Sequence, residues 1–309
     1  MSWNEARLHR HIGSWPKPAI LWGSKLSDGA VLRPLRGAPV LCSDQVIGGV
    51  HVELDAPPRQ IGRKAAARAL SDLAACVAWP RALECSLRAP AETSQAWIVA
   101  VLAGLRAEAQ RHGAALVGGD LAAAPGPFGL TVTALGEFRG PGRPPGRDRL
   151  RVGQALVLTG PVGGSLLGRH LRIEPRFAAG RALFEAGARA LMDVSDGLAL
   201  DLSRLARASG LGIRLEAVPI HRDARRRARS SGRSALEHAL GDGEDHELLA
   251  GLPPRAARAL LERGLPDCPA AVRIATVVAR PGLWLALEGQ PLRRWDGRGG
   301  YLHGQERSR

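Results

Sequence analysis

The sequence predicts a mixed α/β (α+β) protein built as two domains. Three observations lead there. Strand-like and helical segments alternate through the first half of the chain, and the same alternation resumes in the second half. Between the halves, "RGPGRPPGRDR" at 139–149 is a break rich in Pro, Gly and Arg. The length of 309 residues is too great for one small core and small for three. The expected division is 1–138, a linker region at 139–150, and 151–309.

Taken in order, the first half offers strands at 38–44, 49–54, 82–89 and 129–138, where β-branched and apolar residues cluster. Helices are expected at 59–78 and 93–113. The second of these places Ile98, Val101, Leu102 and Leu105 on one face and stops at His112-Gly113. The second half offers strands at 154–160, 188–195, 212–218, 271–279 and 282–289. Its helices are expected at 163–171, 197–210 and 254–264. No short-period repeat is present.

With 45% hydrophobic residues the chain can bury a real core. No apolar run reaches the roughly 18 residues a bilayer span requires, so no membrane association is expected. The N-terminal "MSWNEARLHRHIG" lacks the pattern of a signal peptide. Four cysteines, with no Cys-x-x-Cys spacing, fit small reduced thiols and a cytoplasmic location. The net charge of +14 is carried almost wholly by arginine; Lys17, Lys25 and Lys64 are the only lysines. Its densest run, "HRDARRRARSSGR" at 221–233, has no aromatic residue to stack a base, so it reads as a solvated surface segment. No specific nucleic-acid partner is expected.

The chemistry is concentrated in acids. "MDVSDGLALDL" at 192–202 ends a buried strand with Asp193, Ser195 and Asp196 before a helix. A Ser-Asp pair occurs four times, at Ser27-Asp28, Ser43-Asp44, Ser71-Asp72 and Ser195-Asp196, and Asp120 and Asp245 add to the set. A helix cap by Ser195 or Asp196 explains one of these residues, not both, and leaves Asp193 without a role. Gathered carboxylates repel unless a cation lies between them. Oxygen donors suit Mg²⁺, which takes one or two carboxylates along with waters and phosphate oxygens. Glycines beside the acids let the backbone approach a bulky anion. The pattern therefore points to a polyphosphate–magnesium site. Neither a Walker A motif nor a protein-kinase signature is present.

The ordered motifs "SDGAVL", "CSDQVIGGVH", "ALSDLAA", "VGGD", "PGPFGLTVTALGE", "HLRIEPR", "MDVSDGLALDL" and "DGEDHELL" resemble those of the thiamine-monophosphate kinase family. That family belongs to the aminoimidazole ribonucleotide synthetase-like superfamily, and the likeness runs through nearly the whole chain. It implies a two-domain fold of that type, with the N-terminal domain pairing in a homodimer. It also implies ATP-dependent transfer of a phosphoryl group to thiamine monophosphate with Mg²⁺, giving thiamine diphosphate. Carried over residue by residue, Asp28, Asp44, Asp72, Asp120, Asp193 and Asp196 stand at magnesium positions. Ser43, Gly119, Asp120, Ser195 and Arg147 stand at nucleotide positions, Gly119 and Asp120 in the nucleotide loop. Arg147 and Asp196 are the expected catalytic pair. His51 and Glu244 stand on the substrate side, with Trp295 or Tyr301 as the aromatic residue near thiamine. For His51 a hydrogen-bonded strand histidine is an equal reading.

The chain also departs from the family pattern. Ser27 replaces one of two adjacent acids, and Ala69 replaces Asn. Cys76-Val77 replaces a Met-Gly turn, Leu121 a Thr, and His246 a Tyr. These changes leave open a non-catalytic nucleotide-binding member of the superfamily, or another ATP-using branch. A selenophosphate synthetase is disfavoured because Cys42 lies in a different motif. A hydrogenase-maturation member is disfavoured because its terminal Cys has no counterpart in "QERSR".

Overall fold

A computed structural model describes residues 3–22, 29–289, 291–295 and 300. The chain divides into two compact units. Unit 1 comprises 1–73, 78–141 and 171–174; unit 2 comprises 74–77, 142–170 and 175–309.

In unit 1 the elements run α1 (Glu5–Gly13), β1 (Ala38–Ile47), α2 (Pro58–Ala75), β2 (Trp79–Ala89), α3 (Gln95–Arg111), β3 (Ala115–Ala123) and β4 (Gly129–Phe138). The strands form one sheet in the order β1-β4-β2-β3, with β2 and β3 parallel and the other pairs antiparallel. Successive side chains on a strand point to opposite faces. On β1 this puts Cys42 and Asp44 toward α2, where the Cys42 thiol donates to the Ala69 carbonyl at 3.2 Å. Leu41, Ser43 and Gln45 face the other way, and Leu41 is 70% exposed. Helix α3 buries Ile98, Val101, Leu102 and Leu105, the expected face.

Two expectations fail in this unit. Residues 49–54 form turns and an isolated bridge rather than a strand, because Gly49 adopts a left-handed φ of 76° and His51 folds back on Ile47. The "VGGD" stretch lies within strand β3, not in a loop.

Unit 2 holds β5 (Ala155–Leu158), α4 (Phe177–Glu185), β6 (Ala190–Asp193), α5 (Leu198–Ala208), β7 (Gly212–Leu215), α6 (Arg222–Ser231), α7 (Ala235–Gly241), β8 (Leu248–Leu252), α8 (Pro254–Arg263), β9 (Val272–Val278), β10 (Gly282–Leu285) and β11 (Arg293–Arg294). The sheet order is β11-β10-β7-β9-β5-β8-β6. Strand β5 is buried at all four positions, as a central strand covered on both faces should be. Leu156 and Leu158 join the core that includes Leu198, Leu202 and Leu205 of α5. Ala155 and Val157 join the core under α4 and α8.

The helix expected at 163–171 is instead a pair of short 3-10 turns, at 165–167 and 169–171. The cause is Gly163 and Gly164, with φ of 91° and 72°. A Cβ on Gly163 would lie 2.5 Å from the Ala239 Cα, and one on Gly164 would lie 2.3 Å from the Asp223 carbonyl carbon. The arginine-rich segment at 221–233 is largely helix α6. His221 caps it by accepting the Asp223 N–H, and Arg222, Arg225, Arg226 and Arg229 are exposed.

Candidate active site

In unit 1 the register separates the acids onto two sides of one sheet. Asp44 lies on the side that faces α2, and its carboxylate accepts from the Arg68 guanidinium at 2.9 Å. Asp72 lies one helical turn beyond Arg68 on α2 and is half-buried. Asp120 pairs in register with Ser86, Ser86 with Thr131, and Thr131 with Gln45, so it shares the opposite face with Ser43. The Ser43 hydroxyl is 3.4 Å from the Thr133 hydroxyl. Gly119 allows the close approach of β3 to β2, since a Cβ there would lie 2.0 Å from the Cys85 carbonyl oxygen. Asp28 lies outside the described residues.

Beside β3 is a cavity of about 1040 Å³. Gly118, Gly119 and Asp120 line it together with Trp15, Lys17 and Arg106. The Arg106 guanidinium carbon stands 4.8 Å from the centre of the Trp15 ring. Arg33 and Arg81 add positive charge against Glu84 and Asp120, which suits an anionic ligand. His51 is buried; its Nδ1 accepts the Ile47 N–H at 3.1 Å, and its carbonyl accepts from the buried Lys64 Nζ at 2.6 Å.

In unit 2 the sequence 193–201 is held from three sides. Asp193 ends β6 and is 3% exposed. Neither Ser195 nor Asp196 caps α5, whose first flanking residue, Gly197, makes no side-chain cap. Instead Asp201, in the first turn of α5, accepts the N–H groups of both Ser195 and Asp196 at 3.0 Å. Arg204 donates to both Asp196 and Asp201. Burial pushes the Asp201 carboxyl up to about 7; the Asp196 N–H bond opposes this, and the charges of Asp196 and Asp193 add to it. The third side is the 243–246 segment. The Glu244 N–H donates to the Ser195 carbonyl at 2.7 Å, and the His246 N–H to the Val194 carbonyl at 2.8 Å.

His246 lies 2% exposed between two acids. Its Nδ1 is 3.0 Å from an Asp193 carboxylate oxygen, and its Nε2 is 3.6 Å from Glu244 Oε2. Burial alone would lower its pKa. The hydrogen bond to Asp193 and the nearby charges of Asp193 and Glu244 outweigh burial and raise it to about 9.

Asp245 does not belong with the other acids. It is buried and accepts the Gly163 N–H at 2.9 Å and Arg169 at 2.8 Å, so it pins the glycine turn. Arg147 is exposed, and its carbonyl accepts the Ser209 hydroxyl at 2.9 Å. Trp295 is half-buried against the α5 core and donates its N–H to the Leu283 carbonyl at 2.9 Å. Gly300 lies beside the acid turn, since a Cβ there would lie 3.1 Å from the Asp196 carbonyl oxygen. Tyr301 lies outside the described residues.

Asp201, Arg204, Arg68 and the bridging role of His246 escaped the sequence reading. Asp201 carried a signal, an acid placed in the first turn of a helix. The other three needed tertiary contacts to be seen.

The all-oxygen donor set fits magnesium held by one or two carboxylates with waters and phosphate oxygens. It does not form an all-protein cage, since among the described residues no three His, Cys, Asp or Glu side chains are placed to hold one metal ion together.

The N-terminal domain model of AIR synthase related proteins matches residues 26–138. A thiamine-monophosphate kinase of Rhodopirellula baltica is 38% identical over 298 residues, covering 94% of this chain and 88% of the relative. One from Mycobacterium tuberculosis is 34% identical and covers 79% of each chain. The crystal structure of the Stenotrophomonas maltophilia thiamine-monophosphate kinase matches with a TM-score of 0.75 and 30% identity, over 94% of this chain and 98% of that one. AaThiL complexed with AMPPCP and TMP matches with a TM-score of 0.74 and 25% identity, over 86% and 87%. The Escherichia coli hydrogenase maturation protein HypE matches with a TM-score of 0.78 at 21% identity, a likeness of fold alone. With acid turns in the family's order and a relative of this identity spanning almost its full length, the chain belongs to the thiamine-monophosphate kinase family.

Proposed function

We propose that this protein is a thiamine-monophosphate kinase, an ATP-dependent phosphotransferase whose acceptor is itself a phosphate. The observation that carries this reading is the 38% identity to such a kinase across 94% of the chain. A structural neighbour that holds AMPPCP, an ATP analogue, together with TMP supports it.

A phosphate oxygen of thiamine monophosphate attacks the γ-phosphorus of ATP. The bond from that phosphorus to the ADP oxygen breaks, and thiamine diphosphate and ADP leave. A phosphate monoester is already largely ionised near neutral pH, its second pKa being about 6, so no side chain is needed to remove a proton. The protein's work is to align two anionic groups and offset their repulsion. Gly119, Asp120 and the basic cavity wall would receive the nucleotide, with Ser43 and Ser195 as hydroxyl donors. Arg147 would meet the phosphates. Asp44, Asp72 and Asp120 in unit 1, and Asp193 and Asp196 in unit 2, would hold Mg²⁺; when bound, it neutralises phosphate charge. His51, Glu244 and Trp295 would contact the acceptor. Asp28 and Tyr301 keep the metal and aromatic roles their sequence positions imply.

We further place the enzyme in the cytoplasm, which four free cysteines fit, and no helix among the described residues is long and apolar enough to cross a membrane. We read it as a homodimer paired through its N-terminal domain, as the family resemblance implies.

Purified protein given ATP, Mg²⁺ and thiamine monophosphate should form thiamine diphosphate. Asp196→Asn should lower turnover strongly, and an unchanged rate and metal dependence would remove Asp196 from the site. ATP binding without any product would make the chain a non-catalytic nucleotide binder, the outcome that Ser27 and Leu121 would then explain.

A further inference from the structure

The contact of one histidine with two acids from distant parts of the chain carries an inference that rests on the reading above. We infer that His246 is a positioning residue, a buried brace that sets the carboxylate of Glu244 against that of Asp193 and thereby fixes the acceptor side of the site.

Three observations support it. First, the ring is enclosed, and each of its nitrogens faces a different carboxylate, at 3.0 and 3.6 Å. Two acids brought this near repel each other, and the ring lies with one edge toward each, keeping their carboxylates apart. Second, the backbone is strained to place it. Glu244 and His246 have φ of 57° and 52°, left-handed values uncommon outside Gly and less well tolerated by Glu than by His. Such strain persists where surrounding bonds over-determine it, and here the N–H groups of both residues are tied to the 194–195 backbone. Third, with both nitrogens directed at carboxylates, neither faces a substrate. The ring therefore acts through Glu244 and Asp193 rather than as a base.

The Tyr that the family pattern places here has one hydroxyl hydrogen and can donate to one acid at a time. The His246 ring instead turns one nitrogen toward each of the two acids. The acid it steers most freely is Glu244, which is partly exposed and lies in the strained segment, whereas Asp193 is fixed at the end of a strand.

The test is a double-mutant cycle on the full-length protein, with separate Michaelis constants for each substrate. His246→Asn keeps a residue tolerant of left-handed φ, and His246→Gln keeps an amide donor of greater reach. Either should raise KM for thiamine monophosphate about tenfold or more, while KM for ATP stays within about twofold. In a Glu244→Gln background the same replacement should change KM for thiamine monophosphate by no more than about twofold, because its effect passes through the group already altered. His246→Tyr should fall between wild type and Asn. Unchanged constants, full additivity in the cycle, or equal loss for both substrates with a lowered melting temperature would each overturn the inference. If the wild-type protein shows no turnover, the proposed function fails separately. The cycle is then read from calorimetric binding of thiamine monophosphate to the four proteins, and an absence of coupling or of binding overturns the brace as well.

Discussion

Replacing Arg176 with methionine tests whether the structure's buried charges are balanced as described. The Arg176 guanidinium grips Glu247 through two nitrogens, at 3.1 and 2.6 Å. Glu247 is 5% exposed, and its remaining side-chain partner is the Thr159 hydroxyl at 2.5 Å. Its backbone carbonyl accepts the Val194 N–H at 2.9 Å, so the pair sits directly behind the acid turn. Methionine keeps the length of the arginine stem and removes the charge. A buried carboxylate stripped of its cation is destabilising by about 3–5 kcal/mol. Arg176 is about a quarter exposed and Thr159 remains in place, so the lower end applies, about 3 kcal/mol. For a unit of this size that lowers the melting temperature by about 6–12 °C. Urea unfolding at neutral pH measures it. Glu247→Gln removes the stranded charge, so in the double variant most of the loss should return, with a coupling of at least about 2 kcal/mol. A single variant within about 0.5 kcal/mol of wild type, or a coupling near zero, would show that Glu247 does not depend on Arg176.

Three further outcomes follow from other sites. Gly119→Ala places a Cβ 2.0 Å from the Cys85 carbonyl oxygen, so β3 must move; stability should fall by about 1–3 kcal/mol and KM for ATP should rise, read by thermal melts with and without MgATP. Burial raises the Asp245 carboxyl from 3.8 to about 7, against the opposing charge of Arg169 and the Gly163 N–H. A carboxyl whose folded pKa is raised binds more protons folded than unfolded, so its contribution should decline as pH rises from about 4 to 7, by at most about 4 kcal/mol, and Asp245→Asn should flatten that part of the urea-stability profile. Burial likewise raises the thiols of Cys85 and Cys268, to about 12 and about 11, so neither should alkylate in the native protein at pH 8, whereas both should in urea, as mass spectrometry would show.

The elements legible in the sequence were those with a strong repeating pattern. Helix α3 and strand β4 announced themselves because their apolar residues recur at 3.6 and 2 positions. Strand β3 did not, since "ALVGGDLAA" has two glycines at its centre and little branching. Its pairing is supplied by β2 rather than by local preference. Strand β8 was hidden in an unbroken apolar run that fits a buried helix as well as a strand. The acids at 193–196 were visible as candidates, but their fixings were not. Asp201 and Arg204 lie on a turn of helix that only folding brings beneath Ser195 and Asp196. Val77 shows the opposite case. A residue noted in the sequence only as a substitution for Gly proves to have a left-handed φ of 55°, where a β-branched side chain is strained. The arginine-rich stretch at 221–233 is solvated as expected, but its charge density masks a helix bounded by His221 at one end and Gly232 at the other.

The interleaving of the two units bears on any attempt to separate them. Glu174 belongs with unit 1, where it salt-bridges Arg63 and Arg111 beside the buried Glu108. A fragment stopping at residue 141 would therefore lose an acid that two of its own arginines pair with, and a fragment starting at 142 would lack the 74–77 strip grouped with its core. Halves of this chain made apart are incomplete by a few residues each, so recovery of a soluble half calls for grafting those short pieces back rather than for a better choice of cut.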